Sequence, residues 1–269
     1  MGGALVFVGT RVPVQTLLEH LQAGDPLDEF LRNFPSVRRE QAVGALEVAK
    51  DLLQRVSAGR PRNPGAASKD AKRQTFQFKV TLRDVEPSVW RRIEVPASYS
   101  FWDLHVAIQD AMGWLDCHLH VFRVRDGRTG ATAEIGIPDP DGFEADRAML
   151  PGWEVPVSAY LGQPGDQAVY EYDFGDGWIH NVVLEAIGGR QARTKYPRCT
   201  AGARACPPED CGGPHGYARL LATLADRGDA EHADMVEWLG GPFDPEAFDP
   251  ADVRFDNPRQ RWRTAFADG

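Results

Sequence analysis

The sequence has no long apolar run. Its longest apolar stretch near the start, Ala4 to Val8, is far too short for a membrane span and has no basic flank, which argues against an anchor or a signal peptide. Val6 stands where an acylation motif needs Ser or Thr, so lipidation is not expected either. Cysteine is scarce. Four in 269 residues do not make a disulfide scaffold. The chain also lacks a phosphate-cradling glycine loop, a nucleophile elbow and an internal repeat, which removes the familiar nucleotide-binding and hydrolase signatures. These absences leave a soluble, cytoplasmic-type bacterial protein with no membrane partner.

What is there begins with charge. A net charge of −9 argues against a nucleic-acid coat, since nonspecific binding rests on many phosphate-neutralising Lys and Arg. The charge is unevenly spread. Residues 1–75 carry 11 Lys and Arg against 8 Asp and Glu, and the rest of the chain carries 19 against 31. Only the first quarter can face DNA comfortably.

The stretch 57–73, rich in Gly, Pro, Ser and charge, reads as a flexible linker between a module over 1–56 and a domain over 74–269. In the module, Leu17, Leu18 and Leu21 form the stripe of a helix over 14–23. A second helix starts at Asp25-Pro26, with Asp25 as N-cap, and ends at Pro35. Ser36 caps a third that carries Val37, Val43, Leu46, Ala49 and Leu53 at helical spacing. A tri-helical unit whose last helix opens on Arg38, Arg39 and Gln41 has the outline of a helix-turn-helix reader. Those residues, with Arg11, are candidates for contact with DNA or a protein partner, and equally for a solvated face.

After the linker, Phe76, Phe78, Val80 and Leu82 alternate with polar residues as a half-buried strand does, and Val89–Val95 returns antiparallel to it. Ser100-Phe-Trp-Asp103 starts a helix that Gly113 stops. His118–Val124 reads as a strand with His118, His120 and Phe122 on one face, and 126–157 as a long loop. Strands over 168–174 and 178–187 flank a Gly175-Asp176-Gly177 turn, and helices are expected over 216–227, 231–239 and 258–266. The expected fold class is α+β: a small tri-helical module and a larger domain with a mainly antiparallel sheet and packed helices.

Two constellations carry candidate chemistry. Cys199, Cys206, Cys211 and His215 lie within one loop and are of the types that hold zinc, or else are small buried residues around a Gly/Pro-shaped turn. His118, His120, Asp173, Asp176 and His180 would offer ligands or an acid/base pair if their strands are neighbours, and strand packing if they are not.

The opening Val6-Phe-Val-Gly-Thr-Arg-Val-Pro-Val14, with Leu17-Leu18, Gly24, Phe34-Pro35 and the Val43–Leu46 segment, resembles the VapB-type antitoxin-like domain family, DUF433. That resemblance implies a DNA-binding or toxin-binding module. Over 74–266, Gly113-Trp114, His118-Leu-His120, Tyr170-Glu-Tyr-Asp-Phe-Gly-Asp-Gly-Trp178, Cys206-Pro-Pro-Glu-Asp210, Gly212-Gly213, Gly216-Tyr217 and Gly240–Phe248 resemble the plasmid pRiA ORF-3 family, also called TnpR-like passenger proteins of insertion elements. It implies an α+β domain of plasmids and mobile elements without an established reaction. The reading that joins both is a non-enzymatic accessory or regulatory protein, its N-terminal module binding DNA or a protein partner and its acidic C-terminal domain mediating interaction or ligand sensing. The alternative is a metal-dependent enzyme acting on nucleic acid or phosphoester substrates through the His/Asp group. A homodimer is a further state open to the chain.

Overall fold

Alternation decides the sheet. Strand β1 (Gln74–Leu82) buries Phe76, Phe78, Val80 and Leu82, and leaves Gln77, Lys79 and Thr81 partly exposed. The structure is a computed structural model describing residues 7, 10, 12–22, 26–46, 71, 73–127, 129–138 and 149–266. The chain divides into two compact units, Met1–Asn63 and Pro64–Gly269. Within the stretch expected as a linker, residues 57–70 and 72 lie outside the described residues, as does Arg11. Among the described residues no helix is long and apolar enough to cross a membrane.

The first unit contains α1 (Val14–Gln22), α2 (Leu27–Asn33) and α3 (helical over 39–46), which share a core of Phe7, Leu17, Phe30, Val37 and Ala42. Phe30 and Phe34 pack 5.0 Å apart, with His20 edge-on to both. Two expectations shift. Pro26 is itself the N-cap of α2, in extended backbone, rather than its first helical residue. The third helix starts beyond Ser36 and Val37, where the Gln41 side chain accepts a hydrogen bond from the Arg38 N–H at 3.0 Å, the return half of a capping box. With the start moved, Ala42 faces the core and Val43, expected on the apolar stripe, is exposed. Ala49 and Leu53 lie outside the described residues.

Among the described residues the second unit holds an eight-stranded sheet in the order β5-β4-β3-β6-β7-β1-β2-β8, antiparallel at every junction except β4 with β5. Its further strands are β2 (Trp90–Pro96), β3 (His120–Arg125), β4 (Thr132–Gly136), β5 (Leu150–Pro151), β6 (Gln167–Tyr172), β7 (Trp178–Gly189) and β8 (Arg198–Ala203). The stretch 126–157, read above as loop, supplies β4 and β5, because Ile135 and Gly136 pair with β3 and bury against it. Likewise β8 pairs with β2 from inside the Cys-rich segment.

Helix α4 (Phe101–Met112) lies across the sheet with most of its residues buried. It is opened by a full Ser100–Asp103 capping box and closed by Gly113 in left-handed backbone, φ 95°. Trp178, Tyr170, Tyr172, Phe78 and Phe122 fill the core with its own Phe101. Three more helices follow, α5 (Gly213–Ala225), α6 (His232–Trp238) and α7 (Pro258–Phe266). The last is tied to α4 by Arg261, which reaches Asp110 at 2.7 Å, and by the Trp102 indole N–H donating to Pro258 O at 3.0 Å.

Candidate ligand and metal centre

One end of the sheet collects charge. There the entry to β3, the β6–β7 turn and the loop before α5 meet. The Asp173 N–H donates to Leu119 O at 3.0 Å, fastening the turn to the β3 entry, and Asp173 Oδ1 accepts from the N–H groups of Gly175 and Asp176. Asp173 adopts φ 55°, left-handed backbone that Asp tolerates through such local hydrogen bonds, and Asp210 adopts φ 56°. Glu209 is held from the other side. Its Oε1 accepts from the Leu115 N–H at 2.8 Å and from the Tyr172 hydroxyl at 3.1 Å. Trp114 stacks on Tyr172 and donates its indole N–H to Pro207 O at 2.9 Å, which pins the 207–210 loop to the segment after α4.

His118 stands at the centre. Its Nε2 lies 3.2 Å from Asp210 Oδ1, 3.6 Å from Asp173 Oδ2 and 4.0 Å from Glu209 Oε2. Two overlapping donor groups share this imidazole, one with Asp173 and Asp210, the other with Cys117 and Glu209, each with its ligand atoms within 4.8 Å of one another. Burial and the neighbouring Glu209 push the Cys117 thiol up, and burial above all does the same to the Tyr172 hydroxyl.

Of the five residues proposed to converge, the structure brings together His118 and Asp173. His118 lies just before β3, not on a shared strand face with His120, because the strand begins at His120. His120 is sealed in the core, stacked on His105, and burial holds its imidazole well below the ordinary range. His180 is also buried, its Nδ1 3.3 Å from Tyr170 O, and burial pushes it down to about 4. Asp176 uses Oδ2 to accept from the Gly212 N–H at 3.1 Å, beside the centre rather than in it.

The sequence-predicted zinc set does not assemble among the described residues. Cys199 lies in β8 with its thiol on Ala201 O at 3.4 Å, and His215 is exposed on α5. Burial raises all three thiols, Cys211 to about 12. The ligand atoms of the four residues do not form one group within 4.8 Å of one another. Asp210 and Glu209 were present in the Pro-Pro-Glu-Asp motif but not singled out, since nothing in a linear reading brings that loop to the β3 entry.

Asp210 also borders a groove of about 470 Å³ between α5 and α6, lined by Arg219, Leu220, Glu231, Met235 and Trp238 among others. In the first unit, Arg39 pairs with Asp28 and Gln41 caps its own helix.

The fold is α+β, with a mostly antiparallel sheet and packed helices. The chain belongs to the plasmid pRiA4b ORF-3-like protein family, whose model matches residues 74–252, and residues 1–49 match the family described as a protein of unknown function, DUF433. It is 39% identical over 172 residues to the uncharacterized protein y4hQ of Sinorhizobium fredii, covering 61% of this chain and 80% of that protein. A solved structure, the protein of unknown function MM3350 from Methanosarcina mazei, is 42% identical with a TM-score of 0.62, covering 68% of this chain and 99% of that one.

Proposed function

We propose that the chain is a non-enzymatic accessory protein of plasmid or mobile-element type whose sheet domain recognises a partner at the His118 end. One observation carries this. Among the described residues, the large apolar side chains left exposed in that domain, Leu115 (79%), Leu119 (56%), Phe174 (50%) and Trp238 (51%), all come from the segments that build the centre or line the adjoining groove. Exposed apolar side chains gathered about one polar centre mark a binding surface rather than a solvated face. A photoreactive side chain placed at Phe174 in the full chain in cells is expected to give a discrete cross-linked species. If it captures no more than the same probe at exposed Lys195, the surface is idle.

For the helical unit we infer a protein partner over DNA. Residues 1–56 hold six Lys and Arg against seven Asp and Glu, so the positive balance of the first quarter belongs to the 57–73 stretch. Of the candidate readers, Arg39 is ion-paired and Gln41 is committed to the helix cap. Labelled duplex DNA titrated with the full chain at low salt should show no saturable binding. Binding that weakens steeply with salt and is lost in Arg38→Ala with Arg39→Ala would restore the DNA reading.

A further inference from the structure

The geometry points to a divalent transition-metal site at the sheet end, with His118, Asp173 and Asp210 as its ligands and Glu209 behind them. Three carboxylates crowd one imidazole here, and among the described residues none of the three makes an ion pair with Lys or Arg. Even a protonated His118 would leave an excess of negative charge at short range, an arrangement that a bound cation relieves.

The imidazole supplies the second, independent sign. His118 Nε2 is fully covered and has no hydrogen-bond partner, although Asp210 Oδ1 is only 3.2 Å away. The oxygen is near enough for attraction and out of line for a hydrogen bond. A covered ring nitrogen facing carboxylate oxygens without bonding to any of them is placed as a ligand atom is placed, beside its neighbours around a shared point. His120 Nδ1 and His180 Nε2 are unpartnered too, but both of those rings are fully buried in the core.

The donor chemistry selects the ion. One nitrogen with carboxylate oxygens suits Mn²⁺, Co²⁺ or Zn²⁺, whereas Mg²⁺ and Ca²⁺ prefer oxygen alone. Access follows from burial. Asp173 is only 9% exposed in its side chain but Asp210 is 70% exposed, and Asp210 borders the α5–α6 groove. The ion therefore keeps its solvent side toward the apolar rim, where a ligand atom from a partner or small molecule can complete its shell. The inference rests on the reading above only in treating this surface as functional, since metal binding is measured without any partner.

The test is calorimetric titration of the chelator-stripped full chain with Mn²⁺, Co²⁺ and Zn²⁺, paired with thermal unfolding. One saturable site per chain is expected for at least one of these ions, with a rise in Tm on binding. His118→Gln and Asp210→Asn should each weaken it at least about tenfold, while Cys199→Ala and His215→Ala leave it unchanged. Asp210 is a surface side chain, so its variant keeps the fold, which the circular dichroism of the metal-free protein checks. No saturable binding of any of the three ions overturns the site, and so does binding insensitive to both His118→Gln and Asp210→Asn. Metal binding without any cross-link at Phe174 would sink the partner reading alone.

Discussion

His105 and His120 stack face to face inside the sheet domain, their rings 3.5 Å apart and within 10° of parallel. His105 spends both nitrogens, Nδ1 on the Tyr170 hydroxyl and Nε2 on Asp116, each at 2.8 Å, and Asp116 in turn faces Arg261 of α7. His120 Nδ1 has no partner. A positive charge on His120 would meet both desolvation and its stacked neighbour, so that ring stays neutral in the fold.

Acid should therefore destabilise the domain through its core histidines. His180 titrates at about 4 in the fold, against an ordinary value of 6.5. Its unfolded form takes up protons first as pH falls, so its contribution is complete above about pH 7 and is lost between 6.5 and 4. His180→Asn keeps a polar side chain at that position and removes the titration. Between pH 7.5 and 5 its urea stability should fall less than that of the parent chain, by roughly 2 kcal/mol. Parallel curves for the two proteins would contradict the assignment.

Gly213 is where the α5 loop touches the β6–β7 turn. A Cβ there would stand 2.3 Å from Asp176 O, at φ 68°. Both the clash and the backbone conformation oppose Gly213→Ala, which should cost the sheet domain more than about 2 kcal/mol in urea unfolding. A loss under about half a kcal/mol would mean that the loop adjusts freely.

Gly44 is the opposite case. It sits within α3 with nothing within 4 Å of an added Cβ and no unusual φ. Gly44→Ala should stabilise the helical unit by about 0.5–1 kcal/mol, through helix propensity and a less free unfolded chain. Hydrogen exchange of the 39–46 amides reports it, and unchanged or faster exchange speaks against a helix there.

Arg91 is almost fully buried, with no carboxylate paired to it among the described residues. Its guanidinium donates to the backbone oxygens of Ala111, Trp90 and Ala203 at 2.8, 2.9 and 3.0 Å and lies 3.7 Å over the Phe248 ring. Arg91→Met strips those oxygens of a shared donor and should cost about 2–4 kcal/mol, seen as a lower urea midpoint for the sheet domain. Arg91→Lys should recover little, because one ammonium lacks the planar fork that serves several acceptors. Full recovery would show that charge alone matters.

Much of the sheet was legible. The alternation of Phe76, Phe78, Val80 and Leu82, the Ser100 cap and the Gly113 stop each act within a few residues, so linear reading finds them. β8 escaped notice because Arg198–Ala203 has no apolar alternation and owes its state to pairing with β2. The centre was half legible for the same reason. His118 and Asp173 stood out by type, but Glu209 and Asp210 join them through Trp114 and Tyr172, contacts that span many tens of residues. Cys199, Cys206, Cys211 and His215 were close in sequence, and closeness in sequence did not translate into a common point in space.

The strand order has a consequence for how the protein is made. The β1–β2 pair comes first along the chain and β3–β4 later, and the two pairs are joined only by β6 and β7 between them. Until residues 167–189 leave the ribosome, one flank of β1 and one of β3 remain unmated, each a template for stray strands. Synthesis arrested before that hairpin would yield two open half-sheets prone to clump, whereas arrest just after it would leave both halves zipped.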